Sequence, residues 1–343
     1  MKSQNIDAGL HQRFIAATGL GNAHVQTLVP RFIRKQALFD PVWETLETPD
    51  GDFLELAWSE DPISASTNAH DARPIFILFH GLEGSFESPY ANGLMHSFAR
   101  QGWLSVVMHF RGCGPTPNRL ARAYHSGEIY DARQFLELTN QRFPNRPKIA
   151  VGISLGGNML TNYLAHFQDQ ALLDAATIVS APLDLSACAH RIEVGFSKVY
   201  RRYLLSSMKK NALNKIHLLE QSLGLTTQHV KTIQRLYQFD DIITAPLHGF
   251  KDANDYYQQC SGLQKLNRIT IPTQFIHAKD DPFMTHAVIP KFKLNNNLKY
   301  QLFNNGGHVG FISGSWRQPQ FWLEQALPSY YSHFNDHKME KYL

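Results

Sequence analysis

Apolar side chains recur along this chain in three rhythms. Over residues 43 to 58, WETLETPDGDFLELAW, they alternate with polar ones on both sides of Pro49-Asp50-Gly51. Alternation around a turn signal predicts an antiparallel hairpin. Beyond it come short unbroken apolar runs: IFILF (75–79), LSVVMHF (104–110), KIAVGI (148–153), AATIVS (175–180), TQFIHA (273–278) and YQLFN (300–304). Strands without a polar face, separated by helical stretches, predict an α/β fold with a mostly parallel central sheet and helices on both faces. The third rhythm is helical. After KIAVGI, Met159, Leu160, Tyr163, Leu164 and Phe167 share one face, opposite Asn158, Asn162 and His166, which predicts an amphipathic helix.

The strand rhythm fails between about Ser180 and Thr273, where the pattern is helical throughout. Phe196, Val199, Tyr203, Leu204 and Met208 form an apolar stripe there. A helical insertion between two sheet strands usually covers one sheet edge and shapes a pocket. The chain is accordingly divided into a first core part (1–182), a helical cap insertion (183–268) and a second core part (269–343). Setting the cap aside leaves a length close to the roughly 250 residues that one α/β domain can reach.

Composition narrows the class of protein. With 43% hydrophobic and 18% charged residues the chain is too apolar to be disordered. The net charge of +4 over 343 residues is too small to argue for nucleic-acid binding. Cys113, Cys188 and Cys260 are far apart and odd in number, so neither a disulfide framework nor a CxxC site is implied. The N-terminal stretch lacks the unbroken apolar core and cleavage site of an export signal. These features point to a cytoplasmic protein acting on small molecules. No HExxH, paired Cys/His set or phosphate-cradling loop appears, so no metal or nucleotide cofactor is expected.

The chemistry concentrates at Gly152-Ile153-Ser154-Leu155-Gly156, followed by Gly157. This G-x-S-x-G has a strand running in and an amphipathic helix running out, the context in which such a serine is a nucleophile. Flanking glycines leave room for a strained turn, and the helix start directs backbone N–H groups at a developing oxyanion. A serine hydroxyl needs a base, and the base an orienting carboxylate, expected downstream in the order acid, histidine. His308 follows Gly306-Gly307 beyond the last strand. Asp280 and Asp281 both follow TQFIHA, and counting from Ala278 favours Asp281, with Asp280 as a loop carboxylate. His80-Gly81-Leu82-Glu83-Gly84 follows IFILF, so the N–H of Leu82 is expected to join that of Leu155 in an oxyanion hole. His80 is read as a buried orienter and Glu83 as structural.

Taken together, HGLEGSFESPY, RGCGPTPNRL with YHSGE, GISLGGN, FDDIITAPLHGF with DYY, HAKDDPF and NNGGHVGF resemble the YheT-like branch of the α/β-hydrolase superfamily. GNAHVQTL near the N-terminus resembles that branch's entry motif. The resemblance covers roughly residues 20 to 325, without departure at Ser154, Asp281 or His308. It implies the α/β-hydrolase fold with those three residues as a charge-relay set. It further implies a carboxylesterase or lipase-like activity on a small-molecule acyl ester, through an acyl-enzyme. Two alternatives stay open: an acyltransferase or ester synthase using the same triad, and a non-catalytic ligand-binding member of the fold.

Two further features admit two readings each. Arg111, after the strand ending near Phe110, either binds a substrate anion or pins its loop through backbone carbonyls. Cys113 beside it is read as structural. From Arg191 to Lys215 the chain carries seven cations against one acid, Glu193. Such a basic amphipathic helix is either a solvated face or a weak peripheral contact for an anionic membrane.

Overall fold

The computed structural model describes residues 13–68 and 70–336. Strands β1 (Val42–Glu47) and β2 (Phe53–Trp58) form the hairpin, paired from Val42 with Trp58 to Glu47 with Phe53. Gly51, at φ +83°, supplies the left-handed position its turn needs. Six further strands complete the main sheet: β3 (Ile75–Phe79), β4 (Leu104–Met108), β5 (Lys148–Ile153), β6 (Ala175–Val179), β7 (Thr273–Ala278) and β8 (Leu298–Phe303), and Ile312–Gly314 pairs with Pro319–Phe321 in a small separate sheet. The main sheet is ordered β1-β2-β4-β3-β5-β6-β7-β8, antiparallel only where β2 meets β1 and β4.

The period of two along each strand divides the core. Ile75, Ile77 and Phe79 pack with helices Tyr130–Arg142 and Leu155–Phe167, while Phe76 and Leu78 pack with helices Pro89–Arg100 and Trp322–Tyr330. One strand thus feeds two apolar layers, which is why its sequence has no polar position. Two boundaries differ from expectation. The strand in LSVVMHF ends at Met108, after which the His109 ring bonds Phe86 N–H and Glu55 O, and β8 begins two residues early, at Leu298.

Between β6 and β7 the chain is helical, from Leu185–Arg191 through Ser197–Asn214 to Ala253–Cys260, with a π-helical stretch at Asp240–Thr244. Here two pattern readings need correction. In helix Ser197–Asn214 the buried positions are Ser197, Tyr200, Leu205, Met208 and Ala212, whereas Phe196, Val199 and Tyr203 of the apolar stripe are exposed. In helix Leu155–Phe167 two residues of the polar face, Asn158 and Asn162, are buried as well, while His166 is exposed. Asn158 donates to Ser126 Oγ and the Cys260 carbonyl and accepts from Gly262 N–H; Asn162 also donates to Cys260. Period counting finds a helix but not what covers its second face.

Candidate active site

Ser154 stands between β5 and the helix it opens, at φ +52° and ψ −119°. A non-glycine residue in that region is strained and must be held. The restraint is visible in the neighbours: Ser154 N–H donates to Val179 O at 2.8 Å, and its carbonyl accepts from Asn158 N–H. Glycine is obligatory at Gly156, where a Cβ would collide with the carbonyl oxygens of Phe79 and His80. The helix start can press directly on the end of β3 only because residue 156 has no Cβ.

His308 arrives from beyond β8. Its Nε2 lies 2.9 Å from Ser154 Oγ and its Nδ1 2.9 Å from Asp281 Oδ2. Asp281 is buried, and its other oxygen accepts the Phe283 N–H at 2.8 Å. The Phe283 ring stacks on the imidazole, with centroids 4.0 Å apart. Asp280, its neighbour, faces elsewhere: it accepts the Gly307 N–H at 3.0 Å and so braces the loop that carries His308.

The loop after β3 lies across from the serine. A Cβ on Gly81 would sit 3.3 Å from Ser154 Cβ. Gly81 N–H is taken by Tyr90 Oη and Glu83 N–H by Tyr124 Oη, while among the described residues nothing accepts the Leu82 N–H. Leu155 heads its helix, where amides have no intrahelical acceptor. His80 is fully buried. It donates from Nδ1 to Gly81 O and accepts the Phe110 N–H at Nε2, and burial pushes its pKa down to about 3. It splices two strand-end loops as a neutral ring. Glu83 accepts from Tyr124 Oη and Asn211 Nδ2, and burial raises its pKa.

Ser154, His308, Leu82 and Leu155 line one cavity of about 630 Å³. Its far wall comes from the helical segment, including Ile192, Tyr200, Leu204, Met208, Phe239 and Ile243. Arg111 also borders this space, but its guanidinium is spent on carboxylates: Asp131 at 2.7 Å twice, Asp50 at 2.8 Å and Asp52 at 3.2 Å. Both readings of Arg111 therefore change, since it ties the hairpin turn to helix Tyr130–Arg142 through side chains and not through carbonyls. The Cys113 thiol has its pKa raised by burial, against the thiolate chemistry a nucleophile needs. Among the described residues no group of three or more His, Cys, Asp or Glu could hold a metal.

Pattern reading missed residues of the first helix, Ala23–Ile33. Thr27 Oγ1 accepts the His308 N–H at 2.9 Å, and Gln26, fully buried, donates to Leu20 O and Ile312 O and accepts from Ile312 N–H. Gly307, at φ +58°, lets this helix close on the histidine loop, because a Cβ there would meet Ala23 O at 2.5 Å. The signal was the GNAHVQTL string, which carried no chemistry of its own. Ser180, which holds Val309 N–H at 3.2 Å, gave no signal at all.

The family model described as the alpha/beta hydrolase fold matches residues 74–315. The chain belongs to that family. It is 51% identical over 318 residues to the candidate esterase YheT of Escherichia coli (strain K12), covering 92% of each chain. It is 29% identical to monoacylglycerol lipase of Saccharomyces cerevisiae, over 80% of this chain and 62% of that one. Phospholipase ABHD3 of Homo sapiens is 26% identical over 92% of this chain and 77% of its own. Among solved structures, Pyrococcus furiosus esterase Pf2001 superposes with a TM-score of 0.55 at 16% identity, over 87% of this chain and 91% of that one. At that identity the likeness speaks for the fold alone.

Proposed function

We propose that the protein is a serine esterase that cleaves small-molecule acyl esters through an acyl-enzyme. The observation that carries the reading is the hydrogen-bonded file from Ser154 Oγ through His308 to Asp281. Ser154 Oγ attacks the ester carbonyl carbon while its proton passes to His308 Nε2. Asp281 accepts from Nδ1, fixing the tautomer and balancing the imidazolium charge. The carbonyl oxygen becomes an oxyanion held by the N–H groups of Leu82 and Leu155. Collapse breaks the C–O bond to the leaving alcohol, which takes the proton back from His308. Water then repeats the sequence on the acyl-serine, giving the carboxylic acid and free Ser154. The names of the relatives support an ester substrate.

Residues 183–268 act in this scheme as a cap. Asn211 reaches Glu83 at 2.7 Å, and Lys215 donates to Asn118 and to the carbonyls of Leu120 and Arg122, so the segment is tied to the loops around the serine. Its apolar side chains give the acyl chain a dry wall. The test is labelling by a fluorophosphonate probe, together with hydrolysis of p-nitrophenyl esters of graded chain length. Labelling and turnover that depend on Ser154 are expected; labelling that persists in Ser154→Ala, or rates independent of Ser154, would end the reading.

A further inference from the structure

Two helices flank the mouth of the cavity and both turn apolar side chains outward. Helix Ala23–Ile33 contributes Leu28 and Arg31 to the cavity, and helix Ser197–Asn214 contributes Val199 and Tyr203. They are pinned side by side: the His24 ring meets Phe196 at 4.4 Å and hydrogen-bonds Tyr200 Oη, and the Arg31 guanidinium lies 4.4 Å over Tyr203. Phe32 stands one turn beyond Leu28, so the apolar row lining the cavity continues onto the surface. There Phe32 is 70% exposed, Phe196 50%, Val199 47% and Tyr203 53%, with Val194 at 62%. Exposed side chains of this size gathered at one opening are unlike the isolated surface leucines of a soluble protein.

Along the two segments that carry this row the charge is mostly positive, although Arg34 is spent on Glu324 and Asp40 lies just beyond the first segment. Residues 13 to 39 include Arg13, Arg31, Arg34 and Lys35 and no acid; residues 194 to 214 include Lys198, Arg201, Arg202, Lys209 and Lys210 and no acid. Glu193, just before them, is paired with Arg201 at 2.5 Å. Arg31, Lys35, Lys198, Arg202 and Lys210 are exposed.

We propose that this mouth docks on the surface of an anionic lipid bilayer, with Phe32, Phe196, Val199 and Tyr203 entering the headgroup region and the cations facing lipid phosphates. A second copy of the chain is a poor occupant, since a two-fold contact would set these cations against one another. A bilayer supplies both the apolar layer and the negative potential that the row and its border match. No helix of the described residues is long and apolar enough to cross a membrane, so the contact is peripheral. Docking opens the cavity toward the bilayer, so the ester it takes is a lipid-resident one; that clause alone rests on the esterase reading.

The experiment is vesicle flotation with phosphatidylcholine alone and with added phosphatidylglycerol, run beside hydrolysis of a water-soluble short-chain ester. Binding is expected to require phosphatidylglycerol and to weaken in high salt. Phe32→Ser combined with Phe196→Ser, and separately Lys198→Glu combined with Arg202→Glu, should each lower it about tenfold or more. These four side chains lie outside the cavity lining, so soluble-ester turnover should stay within about twofold of wild type, which also certifies the fold. Binding that is equal with and without phosphatidylglycerol, or unchanged in both double variants, overturns the proposal. A protein that binds vesicles yet hydrolyses no soluble ester keeps the docking surface and loses the esterase reading.

Discussion

The buried histidines at the strand ends and the half-buried Asp240 of the helical segment respond to acid in opposite directions. His80 is pushed down to about 3, and His109 and His277 to about 4, all mainly by burial. Each stays neutral in the fold, while in the unfolded chain it takes a proton near its ordinary 6.5. Their stabilisation is full above pH 6.5 and drains as the pH falls toward their folded values. Asp240, hydrogen-bonded by the hydroxyls of Thr244 and Tyr257, is raised by burial to about 6. The unfolded chain loses that proton near 3.8, so this contribution is present in acid and is lost as the pH rises through 6. The strand-end loops use neutral imidazoles as fixed splices between backbone segments. The helical segment instead holds an acid at the cavity edge between two hydroxyls.

The largest expected effects belong to the strand ends. Ser154→Ala and Asp281→Asn should each lower kcat/KM for a p-nitrophenyl ester by about 10⁴-fold, whereas Asp280→Asn should cost about tenfold or less by loosening the Gly307 loop. Equal losses for the two aspartate variants would contradict the geometry around His308. Next comes the contrast in acid, read by urea unfolding. The stability of Asp240→Asn relative to wild type should rise by about 2 kcal/mol between pH 4 and pH 6. Wild type should also lose about 3 kcal/mol for each of His80 and His109 between pH 6.5 and pH 4. A relative stability of the Asp240 variant that is flat with pH would erase the contrast.

Smaller effects separate the two regions further. Met208→Trp, which narrows the cavity from the helical side, should shift preference toward short acyl chains by about tenfold with the short-ester rate intact. A uniform loss over all chain lengths would mean that the helical wall does not meet the acyl group. Thr27→Val removes one acceptor from the histidine loop and should lower kcat by about three- to tenfold at unchanged KM, as one hydrogen bond's worth of positioning. A rise in KM alone would make Thr27 a binding residue.

The strands from IFILF to TQFIHA were readable to within a residue or two, because a strand buried on both faces runs as a short, largely apolar block and so marks its own limits. The glycine spacing around Ser154 was readable for a related reason. A Cβ at Gly156 has nowhere to go, so the steric demand is written into residue identity. The helical segment was legible as helix but not as packing: Phe196, Val199 and Tyr203 follow a stripe that turns outward, and Asn158 and Asn162 sit on a polar face yet are covered. Arg111 shows the same limit, since its partners Asp50, Asp52 and Asp131 come from two other elements.

By itself, then, the sequence determined the order of strands and helices along the chain and the strained turn at the serine, because each rests on local sterics and on periods of two and 3.6 residues. The tertiary structure alone decided that Asp280 braces the loop carrying His308 and that a helix near the N-terminus holds that loop from its other side. It also decided which apolar residues of helix Ser197–Asn214 face the cavity mouth. These depend on contacts between residues up to 281 positions apart, whose direction no spacing along the chain encodes.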